Sequence, residues 1–231
     1  MHAFDLRAGS GPVDETAPRV PADSRRHPAY DRSKAEGERR VRAAVARGLD
    51  AVVVHPTGAI GPCDFEPSRL GLFFLRLYRG TLPALVDGGC DFVDVRDVAW
   101  AMVAAAEGGG AGESYLLSGH TRRVADLAAV AAAVTGRRLA RPVLPMWVAR
   151  AGAPLLALAA SAGGPEPLYT AESLWVLRIR RSFDAAKAAR DLGFGPRPIE
   201  ESVGDIYRWF AAQGMLDAQP RSGLRGPAGS A

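Results

Sequence analysis

The chain has 231 residues, of which 48% are hydrophobic and 23% charged, and a formal net charge of +4. That is an ordinary globular composition, long enough to bury a core and unlike a disordered chain. The basic residues are scattered and not interleaved with aromatics, which argues against a nucleic-acid partner, and the two cysteines, Cys63 and Cys90, have no metal-ligand spacing, so no metal site and no disulfide framework is expected and a reducing cytoplasm is the expected location.

Residues 1–28 read as loop, punctuated by Gly9, Gly11, Pro12, Pro18, Pro21 and Pro28. From Tyr30 to Arg47 an Ala-, Glu- and Arg-rich stretch predicts a helix, stopped by Gly48. The β-branched run Ala51–Val54, bounded by Asp50 and Pro56, predicts a buried strand of parallel type. Pro67–Arg79 predicts a helix with Leu70, Phe73, Phe74 and Leu77 on one face. Phe65, Leu70, Phe73 and Phe74 suit a pocket wall and core packing equally.

Short strands are expected near Ala84–Val86 and Phe92–Val95, then a helix over Val98–Glu107 ended by three glycines. A strand at Ser114–Leu117, a helix at Val124–Thr135 and a strand at Arg141–Leu144 follow. The most apolar stretch, Met146–Ala162, is interrupted by Arg150 and Pro154 and is short of the roughly 20 residues a membrane span needs, so it reads as a buried helix pair and no membrane partner is expected. Helices are expected at 168–178, Asp184–Leu192 and Glu200–Gln213, and the tail 218–231 reads as disordered. Helices alternating with short strands make the class α/β, with a more helical second half. Residues 1–217 form the expected folded unit.

Smaller groups of residues have ordinary readings. Asp64, Asp91, Asp94 and Asp97 suit solvated or capping roles better than a metal site. Arg178, Arg180 and Arg181 suit a solvated charged face, with a nucleotide phosphate as the sharper alternative. His120 is expected to be exposed in a turn.

The stretch AYDRSKAE, Ala29–Glu36, carries the chemistry. Only two of the 29 basic residues are lysines, Lys34 and Lys187. Lys34 stands four residues after Tyr30, which puts both on one helix face. A phenol in water titrates near ~10, and a neighbouring ammonium favours its phenolate form. Such a pair can therefore carry a proton, and the ammonium can also hold ribose hydroxyls. A plain helix start with a surface lysine is the alternative reading of the same residues.

YDRSK, followed by a helix and then by VVVHPTGAIGP, resembles the extended short-chain dehydrogenase/reductase family, and within it the NAD-dependent epimerase/dehydratase and dihydroflavonol-reductase-like branch. VDETAP (Val13–Pro18), DFVDVRDVAWAMVAAAE (Asp91–Glu107), GESYLLSG (Gly112–Gly119) and RSFDAAKAARDLGFGPRPIEESVGDIYRWF (Arg181–Phe210) are similar to further family segments, in the family's order. The last of these also accounts for Lys187.

The resemblance implies the C-terminal portion of a doubly wound Rossmann-type sheet plus a smaller, mostly helical substrate-binding region. It implies NAD or NADP as cofactor and a small-molecule substrate, with a homodimer as an option. Tyr30 would be the proton donor or acceptor, and Lys34 would assist it and hold the ribose. His55, Pro56 and Thr57, just past the strand, would lie along the nicotinamide end, as the carboxyl ends of strands do in such sheets. The reaction implied is oxidoreduction of a carbonyl/alcohol group, with sugar-nucleotide epimerisation or dehydration as the alternative.

Two family features have no match. No glycine-rich strand–loop–helix precedes Tyr30, and GGGAGES at Gly108 follows a helix and precedes a strand, the wrong order for a pyrophosphate loop. The family's active-site serine or threonine before the tyrosine loop is also unmatched, because Ser10, Ser24 and Ser33 stand elsewhere. A truncated form of a whole enzyme is the expectation, with a half supplied by a partner chain or a non-catalytic fragment or dinucleotide-sensing binding protein as alternatives. Whether the chain alone is an enzyme stays open, and an uncovered sheet edge with marginal stability is expected.

Overall fold

A computed structural model describes residues 1–163 and 167–216. The tail expected to be disordered and the end of the expected folded unit lie outside the described residues. The first 28 residues are irregular but packed. Phe4, Leu6 and Val13 are buried and cluster with Leu116, and two isolated bridges tie the segment down, Phe4 to Arg19 and Val13 to Phe183. Arg181 reaches across with donations from Nη1 to the carbonyls of Ala8 and Gly9 and from Nη2 to that of Gly11. It therefore pins the segment rather than forming a solvated face. Arg180 instead pairs with Asp87.

Helix α1, Ala29–Val45, starts within a residue of the expected position. Strand β1, Val53–Pro56, sits two residues later than the valine run predicts. Its register is set by β5, Ser114–Leu117, which runs parallel to it with Val53 opposite Ser114 and Pro56 opposite Leu117. Along β5 successive side chains alternate, as strand geometry requires. Tyr115 and Leu117 pack with Val98, Ala101 and Leu192, while Leu116 joins Phe4 on the other face. Both faces are covered, so all four residues are buried. By contrast β1 is mostly half-buried, a correction to the expected buried strand. It pairs with β5 and with no other strand among the described residues.

A second sheet runs beside this pair. Strand β2, Gly58–Ile60, is parallel to β4, Gly89–Asp94, and β4 is antiparallel to β6, His120–Arg123. Neither β2 nor β6 is legible in the sequence: the first is three residues long, and the second reads HTRR, a charged edge strand with no apolar alternation. His120 is therefore not loose in a turn; it lies in β6 and its Nε2 is 2.8 Å from the Arg197 carbonyl oxygen. The chain passes from β5 to β6 through Gly119, where an added Cβ would stand 2.0 Å from the Phe92 carbonyl oxygen. Only glycine permits that approach. Strand β3, Leu85–Val86, pairs in parallel with β7, Val143–Leu144.

The helices cover these strands. Helix α2, Arg69–Tyr78, is capped by Ser68, whose side chain accepts from the Gly71 amide. Its Phe73, Phe74 and Leu77 enter the main core beside Leu127 of α4, Val124–Thr135, and Ile206 and Phe210 of α8, Ile199–Ala212. Each such burial is worth about 1.5–3 kcal/mol. On the far side of β1 and β5 lie α3, Val95–Gly108, and α7, Ala186–Leu192.

The remaining helices are α5, Met146–Ser161, and α6, Ala171–Ile179. The expected buried helix pair over Met146–Ala162 is instead one continuous helix, with only Ala153 buried. Pro154 does not end it. A proline at that point removes one backbone donor and clashes with the carbonyl of residue 150, but with the flanking turns intact the helix continues through it.

The acidic residues are more buried than expected. Asp64 and Asp94 do cap, accepting from the Ser68 and Arg96 amides. Asp91 and Asp97 are not solvated. Asp97 accepts from the Arg197 amide and guanidinium, and Asp91 accepts from the Thr57 hydroxyl at 2.6 Å, the Gly119 amide at 2.8 Å and the Thr121 hydroxyl at 3.0 Å.

Candidate active site

Tyr30 stands in the first turn of α1 and is 46% exposed. Lys34 follows one turn later, its Nζ 5.2 Å from the centre of the Tyr30 ring. The helix thus brings the expected pair together. Two neighbours fix the pair. The ring of His2 meets Tyr30 edge-on at 4.9 Å, and His2 Nδ1 lies 2.6 Å from a carboxylate oxygen of the buried Asp31. The Ser33 hydroxyl donates to the Tyr30 carbonyl oxygen. The sequence carried no signal for His2, which reaches Tyr30 only through the fold of the N-terminal segment.

His55 and Pro56 belong to β1 and only Thr57 stands just past it, and the groups of all three are largely engaged. His55 is 5% exposed and packs against Phe4, with ring centres 4.8 Å apart. The Thr57 hydroxyl donates to Asp91, and the Pro56 carbonyl accepts from the Met1 amino group at 2.7 Å. The two buried side chains thus serve the fold. A ligand at this turn would meet backbone and the Tyr30–Lys34 side.

Beside the pair lies a cavity of about 460 Å³, within the range of small-molecule sites. Tyr30 and His2 line it together with Phe73 of α2, Phe92 of β4, Leu127 of α4 and Val176 of α6. Leu70, expected as wall or core, also lines it, whereas Phe74 is wholly in the core and Phe65 packs against Trp209. The walls are mostly apolar. Cys90 and Tyr169 contribute polar atoms, but burial pushes the thiol and the phenol each up to about 12, so both stay protonated near neutral pH. Glu172 also lines the cavity, and its Oε1 is buried with no hydrogen-bond partner. That oxygen is an acceptor for a donor group on an otherwise apolar ligand.

Burial also sets the electrostatics behind the pair. It pushes His55 down to about 4, an effect that the Glu38 carboxylate opposes from 3.8 Å. Burial acts to raise Glu38, but the hydrogen bond from Arg42 and the charges of His55 and Arg19 hold it below the usual range. The folded His55 is therefore neutral at pH values where the unfolded residue takes up a proton. Its contribution to stability is complete above pH 6.5 and is lost as pH falls from there to about 4. The loss amounts to at most about 3 kcal/mol. Urea unfolding at stepped pH should show this slope, and His55→Leu should flatten it. A variant with the wild-type slope would exclude His55 as its source. The buried Met1 amino group, pushed down to about 5 mainly by burial, adds a slope of the same sign that both proteins share.

An exposed tyrosine–lysine pair at a helix start thus stands beside a strand end and a largely apolar cavity. Residues 7–118 match the NAD dependent epimerase/dehydratase family. That stretch carries the family's sequence pattern. It is 30% identical over 189 residues to a Methylococcus capsulatus protein named "Sterol demethylase protein B", covering 81% of this chain and 58% of that protein. It is 28% identical over 195 residues to a Synechocystis protein named "Putative dihydroflavonol 4-reductase", covering 83% of this chain and 57% of that protein. The solved structure of a nucleoside-diphosphate-sugar epimerase from Pseudomonas aeruginosa superposes with a TM-score of 0.75 at 25% identity, over 94% of this chain and 66% of that one. The fold is thus the Rossmann-like one of these enzymes. The chain spans somewhat over half the length of the curated relatives it matches. Among the described residues no helix is long and apolar enough to cross a membrane.

Proposed function

We propose that this chain carries the acid/base pair and the substrate pocket of an NAD(P)-dependent oxidoreductase that acts on the carbonyl/alcohol group of a largely apolar small molecule. One observation carries the reading: Tyr30 lines a cavity in which eight of the seventeen lining residues are Phe, Leu or Val. A nucleotide sugar would ask for a polar lining throughout, whereas the polar side chains here, among them His2, Arg69, Glu172 and Ser173, share the wall with apolar ones. Epimerisation or dehydration of such a sugar is therefore the second reading, favoured by the family and not by the pocket.

The residues present fit one end of the cofactor. Tyr30 and Lys34 offer exposed donors that suit a ribose, while no glycine-rich strand–loop–helix for a pyrophosphate stands among the described residues. The nicotinamide, when bound, gives or takes the hydride at the substrate carbon. The chain's own part is the proton. In reduction the Tyr30 hydroxyl donates to the developing alkoxide, and in oxidation the phenolate accepts from the alcohol. Lys34, one turn along the helix, holds the ribose, and the apolar walls exclude water and orient the carbon skeleton.

The test is calorimetric. A dihydroflavonol should bind the cavity saturably, dTDP-glucose should bind at least about tenfold more weakly, and Phe73→Asp should remove the dihydroflavonol signal. Preference for the sugar nucleotide would transfer the reading to the epimerase/dehydratase branch. With the pyrophosphate cradle unmatched, NADPH alone should bind weakly, at best in the high-micromolar range, roughly −4 to −5.5 kcal/mol.

A further inference from the structure

Helix α5 is apolar on two sides. Its inner side, with Ala149 and Ala153, rests on Val86, Leu174 and Tyr169. Its outer side faces solvent: Trp147 is 73% exposed, Leu155 71% and Leu158 67%. Residues 147, 151, 155 and 158 follow the four-four-three spacing of one helix face. Val143 and Leu144, on β7 just before the helix, are exposed as well. A contiguous apolar face of this kind marks an interaction site on a protein surface.

The charges around the face select its partner. Residues 127–165 contain no aspartate or glutamate but four arginines, Arg137, Arg138, Arg141 and Arg150. Among the described residues no carboxylate pairs with any of the four. The Arg137 guanidinium lies over the Tyr78 ring, Arg141 donates to the Ala140 carbonyl, and Arg138 and Arg150 are exposed. Two copies of this chain joined through α5 would bring these four arginines together, and the carboxylate beside β7, that of Asp87, is already paired with Arg123 and Arg180. An anionic, apolar-centred surface offsets them directly.

We propose that α5 is a membrane-surface helix, which lays Trp147, Leu155 and Leu158 into the headgroup–acyl boundary of an anionic bilayer while the neighbouring arginines engage lipid phosphates. At about 1.5 Å per residue its 16 residues fall short of the roughly 30 Å hydrocarbon core. The helix lies in the interface and does not span it. Trp147, near its start, has the amphipathic ring that settles at headgroup level. The proposal is independent of the oxidoreductase reading, since it needs neither cofactor nor turnover.

The experiment is sedimentation of the full chain with phosphatidylcholine vesicles, with and without phosphatidylglycerol. Retention should be at least about tenfold greater on the anionic vesicles and should fall as salt rises. The triple variant Trp147→Gln, Leu155→Gln, Leu158→Gln should lose at least about tenfold in partitioning while melting at the wild-type temperature, because those side chains make little of the core. Neutralising Arg137, Arg138, Arg141 and Arg150 to glutamine should remove the preference for anionic vesicles. Absence of binding to both vesicles would overturn the proposal, as would undiminished binding by the folded triple variant. A concentration-dependent dimer that the triple variant dissolves, with no vesicle retention, would also overturn it and assign the face to a second copy.

Discussion

Tyr30→Phe should lower carbonyl turnover by the NAD(P)-loaded protein about 10²–10⁴-fold, the usual share of a positioned general acid. Ligand affinity for the cavity should stay within about twofold, because the substitution deletes one oxygen and keeps the ring that lines the wall. The two readouts separate chemistry from packing. The ring contact with His2 survives in the variant, so His2 and Asp31 still hold the first turn of α1 in place. Turnover at the wild-type rate by Tyr30→Phe would remove Tyr30 from the proton path. Lys34→Arg makes a second comparison within the same pair. It keeps the charge but replaces a compact ammonium with a planar fork, and a loss of turnover there would show that geometry matters as well as charge.

The largest effect on stability is expected at Asp91. It is 1% exposed and accepts from three donors on three segments: Thr57 after β1, Gly119 after β5 and Thr121 in β6. Asp91→Ala leaves the buried Thr57 hydroxyl and the half-buried Gly119 amide without their acceptor, while the exposed Thr121 hydroxyl turns to water. Each buried orphan costs about 1–3 kcal/mol, so a total near 3–5 kcal/mol is expected after partial relaxation. For a chain of this size that lowers the melting temperature by on the order of 10 °C. Asp91→Asn, which keeps one acceptor oxygen, should lose less. Thermal denaturation of both variants checks the ranking, and a melting point within about 2 °C of wild type for Asp91→Ala would show that water replaces the carboxylate.

Much of this architecture is legible in the residues because its causes are local. Gly48 and Gly136 stop helices, Ser114–Leu117 is bounded and β-branched or apolar enough to read as a strand, and the Tyr30–Lys34 spacing fixes a shared face. What escaped has non-local causes. Strand β6 is polar and exists because β4 pairs with it. His2 meets Tyr30 because the Met1 amino group is held by the Pro56 carbonyl and His2 Nδ1 lies against Asp31. The burial of His55 and Thr57 follows from Phe4 and Asp91, which no spacing around HPT reveals. Hydropathy made Met146–Ala162 look like core. An apolar helix on a surface has the same composition as one inside, and only tertiary packing distinguishes them.

Helix α6 belongs to two neighbourhoods at once. Val176 and Glu172 line the cavity, while Leu174 of the same helix supports α5. A shift of α6 therefore acts on the pocket and on the outer helix together. If docking of α5 on lipid alters ligand affinity by some factor, ligand must alter the lipid affinity by the same factor. A single nine-residue helix would then act as a lever between a bilayer and a substrate site, with its free energy of coupling readable from either end.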